Sequence, residues 1–399
     1  MPLVSVLGLL IANRATRTFG YGFLAVVLGI YLDRLGTSPA LVIAAFGVAL
    51  ASAAVLNILV GYYGDRFGRK KAMILFGLLM TVAGLILAVA SSFPVALLGL
   101  AFGAVSPTGT EVSPFLSIEQ SIVADAAKQG RRTRAFAVYN LLGSLGAATG
   151  GLAGGIPALL AGGPPTVDDF RPMFLLYALL GVVAAGISAA LPATVELREE
   201  QKRVPLSPTS RSRIVAIGSL FATDSFAGGF VLQGTILYWF SVTYPDSQGY
   251  LGLIFAIAGV LSAFSFLLAA RLGERIGLVE TMVYTHIPSN VLLILIPLAP
   301  GLPFAVAAYL GRQALSQMDV PTRQAYLAGI VSQAERTAAN AYTNTARNAT
   351  QAASPFLASG LITLLGQQLG ITFFIGGGIK IAYDLAIYRA FRRIRPESL

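Results

Sequence analysis

Residues 61–71 read GYYGDRFGRKK, a short run of glycine and charge between two long apolar stretches. Gly61, Gly64 and Gly68 give the backbone freedom for a sharp turn. Arg66, Arg69, Lys70 and Lys71 outnumber the single acid Asp65. A connection this basic between two hydrophobic helices belongs on the cytoplasmic face of a membrane, and the rest of the chain is read from that placement.

Apolar residues make up 55% of the 399 and charged residues 12%, about half the charged share of an ordinary soluble domain. A spanning helix takes about 20 mostly apolar residues. Twelve such segments fit, at 8–32, 40–63, 71–91, 94–125, 134–162, 171–191, 214–241, 250–271, 278–299, 302–330, 337–365 and 370–388. The fold class is an all-α membrane protein of 12 transmembrane helices, with the lipid bilayer as its first partner. The net charge of +10 would suit nucleic acid if it formed one patch, but its placement matters more than its sum. Basic residues gather in alternate connections: Arg66 to Lys71, Lys128 to Arg134, Arg198 to Arg213, Arg271 with Arg275, Arg336, and Arg389 to Arg395. The other connections hold only Arg34 and Arg171. This asymmetry puts both termini in the cytoplasm, at a plasma (inner) membrane, and leaves no role for nucleic acid. The opening MPLVSVLGLL lacks a basic n-region and a cleavage site and reads as leading into the first span. With no cysteine, disulfides and thiol ligands are excluded.

Segment 192–213, PATVELREEQKRVPLSPTSRSR, has three prolines and many charges. It reads as a solvated cytoplasmic linker between bundles at 1–191 and 214–399. The halves repeat each other. Thr16-Arg17-Thr18-Phe19 matches Thr223-Asp224-Ser225-Phe226, and Gly64-Asp65-Arg66-Phe67-Gly68 recurs as Gly273-Glu274-Arg275-Ile276-Gly277. Arg132-Thr133 with Asn140 returns as Arg336-Thr337 with Asn344, in the same order.

The spacing G-x-x-x-D-R-x-G-R-K at Gly61, Asp65, Arg66, Gly68, Arg69 and Lys70 resembles motif A of the major facilitator superfamily, whose fold is two pseudo-symmetric six-helix bundles related as parallel repeats. The resemblance implies that this loop joins spans 2 and 3 and latches a cytoplasmic gate. Asp65 would lie near the start of span 11, where a helix N-terminus favours an anion. Arg66, Arg69 and Lys70 would add contacts that hold the outward-open state. In span 5, Gly146, Gly150, Gly154 and Gly155 let helix backbones approach closely. Their spacing also resembles motif C of the antiporter branches, with Gly151 in place of that motif's proline and Ala137 in place of its upstream glycine.

An ionisable side chain deep in a span costs about 2.5–3.5 kcal/mol on insertion scales, so each needs a partner or a role. Arg14, Arg17, Glu111, Glu119, Asp224, Arg312, Asp319, Arg323, Arg347, Lys380 and Asp384 fall inside the spans. The repeat aligns Arg17 with Asp224 and Glu119 with Arg323. Facing each other across a closing gap, such opposed charges form a gate; as static pairs they fix helix packing. Arg312, Ser316, Asp319 and Arg323 share an arc of span 10, and Asn340, Asn344, Arg347 and Gln351 share a face of span 11. A polar stripe cannot face lipid. Arg17, Asp224, Arg312, Asp319, Arg323, Asn344 and Arg347 are therefore the expected substrate-cavity residues. Guanidinium forks suit carboxylate or phosphate; pairing of Arg312 and Arg347 with Asp319 or Glu111 is the structural alternative.

Span 4 carries two Ser-Pro steps and Gly109, which break a helix. Glu111 and Glu119 within it are the candidates for proton coupling, with Asp224 and Asp319 next, and neutralising an arginine is the other reading of Glu119. His286 reads as a packed polar residue in preference to a proton relay, Lys380 and Asp384 as a local pair one turn apart, and Trp239 with Tyr244 as an interfacial belt.

No phosphate-binding loop, dinucleotide fingerprint or HExxH is present, so no enzyme, cofactor or metal is expected. The resemblance implies a proton-coupled secondary carrier of a small organic solute, working as a monomer by alternating access, and the buried arginines lean towards an anionic or zwitterionic solute unless the acids neutralise them. Efflux by proton antiport is favoured over import by symport. A passive facilitator and a transporter-like sensor remain open alternatives.

Overall fold

The computed structural model describes residues 3–102, 104–109, 114–126, 132–196, 207–329 and 336–392. Regular structure among them is helical throughout. In the first half, α1 (Leu3–Arg34), α2 (Pro39–Phe67) and α3 (Arg69–Val89) are continuous. The fourth segment is split into α4 (Phe93–Ala101) and α5 (Pro114–Ala126), and the fifth is α6 (Arg132–Gly154) followed by α7 (Ile156–Leu160). The sixth is α8 (Val167–Ala189). The second half begins with α9 (Pro208–Phe230) and α10 (Gln233–Thr243), which together form the seventh segment. Then come α11 (Leu251–Ile276), α12 (Leu278–Leu295), a tenth segment split into α13 (Leu302–Ser316) and α14 (Asp319–Gly329), α15 (Arg336–Leu364) and α16 (Ile371–Phe391). Among the described residues, helix stands in each of the twelve expected segments.

Eight helical stretches among the described residues are long and apolar enough to cross a membrane. The other four segments are the fourth, fifth, tenth and eleventh, two pairs related by the repeat. Each falls short for a visible reason. Pro107 and Gly109 (φ +68°) interrupt the fourth, and α6 opens on Arg132 and Arg134 and ends on glycine. The first half of α15 interleaves alanine with threonine, asparagine and arginine. The seventh and tenth segments, expected to be continuous, break at Val231 and at Gln317. There the ladder steps to tighter bonds, with Val231 N donating to Gly228 O and Met318 N to Leu315 O.

One residue joins α2 to α3, and one joins α11 to α12. Gly68 has φ +97° and Gly277 φ +104°, backbone angles that L side chains rarely adopt. The structure thus repeats the turn whose sequence recurs. In the first turn of α3, Arg69 N and Lys70 N donate to the Glu196 carboxylate at 2.7 and 3.2 Å. An anion there meets the positive end of the helix dipole. Lys70 Nζ donates to Leu191 O at 2.7 Å and Arg69 Nη1 to Val195 O at 3.3 Å, so both cations hold the chain leaving α8.

The chain forms two compact units, Met1–Glu200 with Leu232–Ala256 and Gln201–Val231 with Ile257–Leu399. Unit 1 therefore includes a segment from beyond the linker. Within it α10 packs on α1, with Tyr238 OH donating to Asp33 Oδ1 at 2.7 Å. Trp239 is 6% exposed and packs edge-on against Phe240 and Tyr244. It is an inner packing residue, which corrects its assignment to an interfacial belt.

The dominant helix pairs in unit 1 are α1 with α6 and α3 with α8; in unit 2 they are α9 with α15 and α12 with α16. These are the same pairs under the repeat. Their close approach uses small residues. A methyl added at Gly150 would strike the Phe19 carbonyl, one at Gly22 the Ala147 carbonyl, and one at Gly84 the Ala178 nitrogen at 2.6 Å. Gly150→Leu is expected to cost up to about 3 kcal/mol through overpacking, read as a lowered unfolding midpoint in detergent. Gly186 has open space around it, so Gly186→Leu should leave that midpoint unchanged. Large apolar side chains on the outer faces, such as Leu75, Leu78, Val82 and Leu85 on α3, are exposed. A soluble protein would not leave such a stripe bare; lipid covers it.

Candidate functional site

In unit 1 the buried ion pair is built by α1 and α5, with a tyrosine from α6. The Arg17 guanidinium donates through Nη1 and Nη2 to the two Glu119 oxygens, both at 2.8 Å, and both residues are 0% exposed. This bidentate fork is the strongest form of the contact. Tyr139 OH donates to Glu119 Oε2 at 2.6 Å, and Arg14 Nη1 donates to Tyr139 OH at 3.0 Å. The Phe115 ring lies 3.9 Å beneath the Arg17 guanidinium.

Unit 2 repeats the pair with the signs exchanged. Asp224 on α9 stands where Arg17 stands on α1, and Arg323 on α14 where Glu119 stands on α5; Arg323 Nη1 lies 3.6 Å from Asp224 Oδ2. Arg17 and Asp224 each have a partner inside their own unit. The reason is that each unit builds one ion pair at the same place, so related positions hold opposite charges. Asp319, one turn before Arg323, takes its Nη1 at 2.8 Å.

Unit 2 adds groups that unit 1 lacks. Lys380 Nζ on α16 donates to Asp224 Oδ1 at 2.6 Å. Asp384, one turn further, lies with Oδ1 2.8 Å from His286 Nδ1 and accepts from Asn290 Nδ2 at 3.1 Å. The expected Lys380–Asp384 pair is thus replaced, because each head finds a better partner on a neighbouring helix, Lys380 towards α9 and Asp384 towards α12. His286 is buried as expected, at 4% exposed, but it sits between two carboxylates, with Nε2 4.0 Å from Asp224 Oδ1.

Arg312 on α13 is 8% exposed. Its Nη1 donates to Gln313 Oε1 at 2.7 Å and its Nε has no hydrogen-bond partner. It lies within electrostatic reach of Asp224 and Asp319, yet among the described residues no carboxylate stands at ion-pair distance. Arg347 on α15 donates from Nε to Ser225 Oγ at 2.8 Å and likewise has no carboxylate contact among them. Asn340, Asn344 and Asn348 on the same helix are exposed. Such a stripe needs water or protein against it in a bilayer.

Gly146, Gly150 and Gly154 press on Ala15, Phe19 and Phe23 of α1, and Gly155 on Gly249, which accounts for their size. Glu111 and the side chains of residues 61–66, including Asp65 and Arg66, lie outside the described residues. A cavity of about 610 Å³ lined by Arg34 and Arg171 opens among the connecting loops of unit 1. It is remote from the buried charge, and its Arg171 already pairs with Asp168 at 3.0 Å. Glu196 and Tyr139 were missed in the sequence; the acid after Pro192 was the available signal for the first, while nothing marked the second.

Lipid-facing helices in two related units, each holding buried ion pairs, are the architecture expected of a polytopic transporter. The model of the Major Facilitator Superfamily matches residues 10–311, and the chain belongs to that superfamily. The uncharacterized membrane protein YJR124C of Saccharomyces cerevisiae (strain ATCC 204508 / S288c) is 24% identical over 415 residues, covering 95% of this chain and 92% of that protein. Among solved structures, the nucleoside transporter NupG covers 98% of this chain and 100% of its own at 14% identity and TM-score 0.76. The D-xylose-proton symporter covers 100% of both chains at 15% identity and TM-score 0.74. The human organic anion transporter MFSD10 (TETRAN) covers 96% of this chain and 99% of its own at 19% identity and TM-score 0.64. At these identities the likeness is one of fold.

Proposed function

We propose that this transporter is a proton-coupled secondary carrier that exports a small anionic or zwitterionic organic solute in exchange for protons. It would act as a monomer in the plasma membrane, with both termini cytoplasmic. The observation that carries the anionic part is Arg312. A buried cation without a carboxylate is costly, and the cluster around it already holds Arg323, Arg347 and Lys380 against Asp224, Asp319 and Asp384. An anion brought by the solute would balance the excess. Arg347 and Asn344, on the polar stripe of α15, would share in its binding.

Glu111 and Glu119 are the proposed proton carriers of the first half. Glu119 takes a proton only by releasing the Arg17 fork, so its protonation would be tied to a movement of α5 against α1. Motif A, from Gly61 to Lys70, would latch the cytoplasmic gate, and the motif C-like glycines support antiport.

Arg312→Met tests the anion reading. Removing an unbalanced buried charge should leave the unfolding midpoint equal to or above that of the wild type. A thermal-shift screen of organic anions, zwitterions and cations should raise the wild-type midpoint with anions or zwitterions, by about 2.7 kcal/mol of stabilisation at a hundredfold excess over Kd. The same compounds should do nothing to Arg312→Met. A lowered midpoint in the variant, or selective stabilisation of the wild type by cations, contradicts the proposal.

A further inference from the structure

The repeat supplies a control for asking what the extra charges of unit 2 are for. The ninth and twelfth segments, α12 and α16, correspond to α3 and α8 in unit 1. Beyond Lys71 the helix α3 carries no Asp, Glu, Lys, Arg or His, and neither does α8 beyond Arg171. Unit 1 packs this helix pair with glycine, alkyl, aromatic and hydroxyl side chains and no Asp, Glu, Lys, Arg or His in that stretch, so packing does not require charge there. Unit 2 nevertheless places His286, Lys380 and Asp384 in the pair, all three less than 8% exposed.

We propose that His286, held between Asp384 and Asp224, is a proton-binding site of unit 2 that communicates with the Asp224–Arg323 pair. This deepens the proton coupling proposed above and rests on that reading for its use in transport. The geometry is that of a two-sided acceptor. With Nδ1–H donated to Asp384 at 2.8 Å, the Nε2 lone pair is left facing Asp224 Oδ1 at 4.0 Å. A proton added to Nε2 turns that repulsive approach into an ion pair, and the ring becomes a cation with a carboxylate on each side. Lys380 Nζ already holds Asp224 Oδ1 at 2.6 Å, and Arg323 approaches Oδ2 at 3.6 Å. An imidazolium competes with both for one carboxylate, so the charge on His286 alters the grip on Arg323.

The charged and titratable groups around the ring come from every helix packed on α12 and from α12 itself. They are Asp384, Lys380 and Tyr383 on α16, Arg312 on α13, Asp319 and Arg323 on α14, Asp224 on α9, and Glu280 at the start of α12. Asn290 steadies the second oxygen of Asp384 and fixes the carboxylate against the ring.

The chain contains one histidine, which makes the test direct. The full-length protein, purified without a histidine tag, is labelled with ring-¹⁵N histidine, and the single imidazole is followed by NMR between about pH 5 and 9, the window in which an imidazole usually titrates. The ring is expected to pass from protonated to neutral within that range. Its midpoint should move by about one unit or more in Asp384→Asn, and in the opposite direction in Lys380→Gln, because one variant removes an anion and the other a cation. Either variant that folds decides the coupling. A ring fixed in one form throughout, or a midpoint that neither substitution moves or that both move the same way, overturns the proposal. Vesicle flux indifferent to a pH gradient, with a ring that titrates as described, would remove the proton-coupled reading and leave the site. Gradient-driven flux with a fixed ring would do the reverse.

Discussion

Glu119→Ala is expected to destabilise the protein by about 3–5 kcal/mol, the cost of leaving a buried cation without its partner. The size follows from the geometry. Arg17 and Glu119 are 0% exposed and joined by two bonds of 2.8 Å. Truncation strands the guanidinium and also removes the acceptor of Tyr139. The reversed pair Arg17→Glu with Glu119→Arg should recover most of the loss, since unit 2 already works with the signs that way round. Chemical or thermal unfolding in detergent reads both effects. A double variant no more stable than the single one would show that the contact is not what holds α5 to α1.

Asp224→Ala should be at least as damaging. One carboxylate there meets Lys380 at 2.6 Å, Arg323 at 3.6 Å and His286 at 4.0 Å, so its loss strands the buried Lys380 and leaves Arg323 with Asp319 alone, which puts the change in the same range of about 3–5 kcal/mol. Asp224→Asn should fall between wild type and Asp224→Ala, because it keeps an acceptor and loses the charge. Adding Lys380→Ala to Asp224→Ala should restore part of the stability, a coupling that a double-mutant cycle measures. Strict additivity would mean that the two side chains do not depend on each other.

These pairs also show where the sequence was legible. Hydropathy and the distribution of arginine and lysine gave the twelve segments, and the repeated Gly68 and Gly277 turns appeared in both text and structure. Glycine spacing in α6 correctly announced a close helix contact. Partner choice was harder. Arg17 and Asp224 have opposite signs at related positions, which suits either a pair across the repeat or a pair inside each unit with signs exchanged. Spacing alone does not separate the two. Lys380 and Asp384 sit one turn apart, the usual signature of a local pair, but each reaches a different neighbouring helix. His286 is a single residue without a periodic pattern, so nothing in its own stretch revealed two carboxylates from other helices. The break at Gln317 precedes Pro321, which has no N–H to donate to Gln317 O, whereas no proline or charge run marks the break at Val231.

The most direct measurement of the central claim is uptake into proteoliposomes of an organic anion chosen by the thermal-shift screen, with an imposed pH gradient. An antiporter of this kind accumulates the anion when the lumen is acidic and stops when a protonophore collapses the gradient. Uptake that is the same with the gradient present, reversed or collapsed would contradict the account.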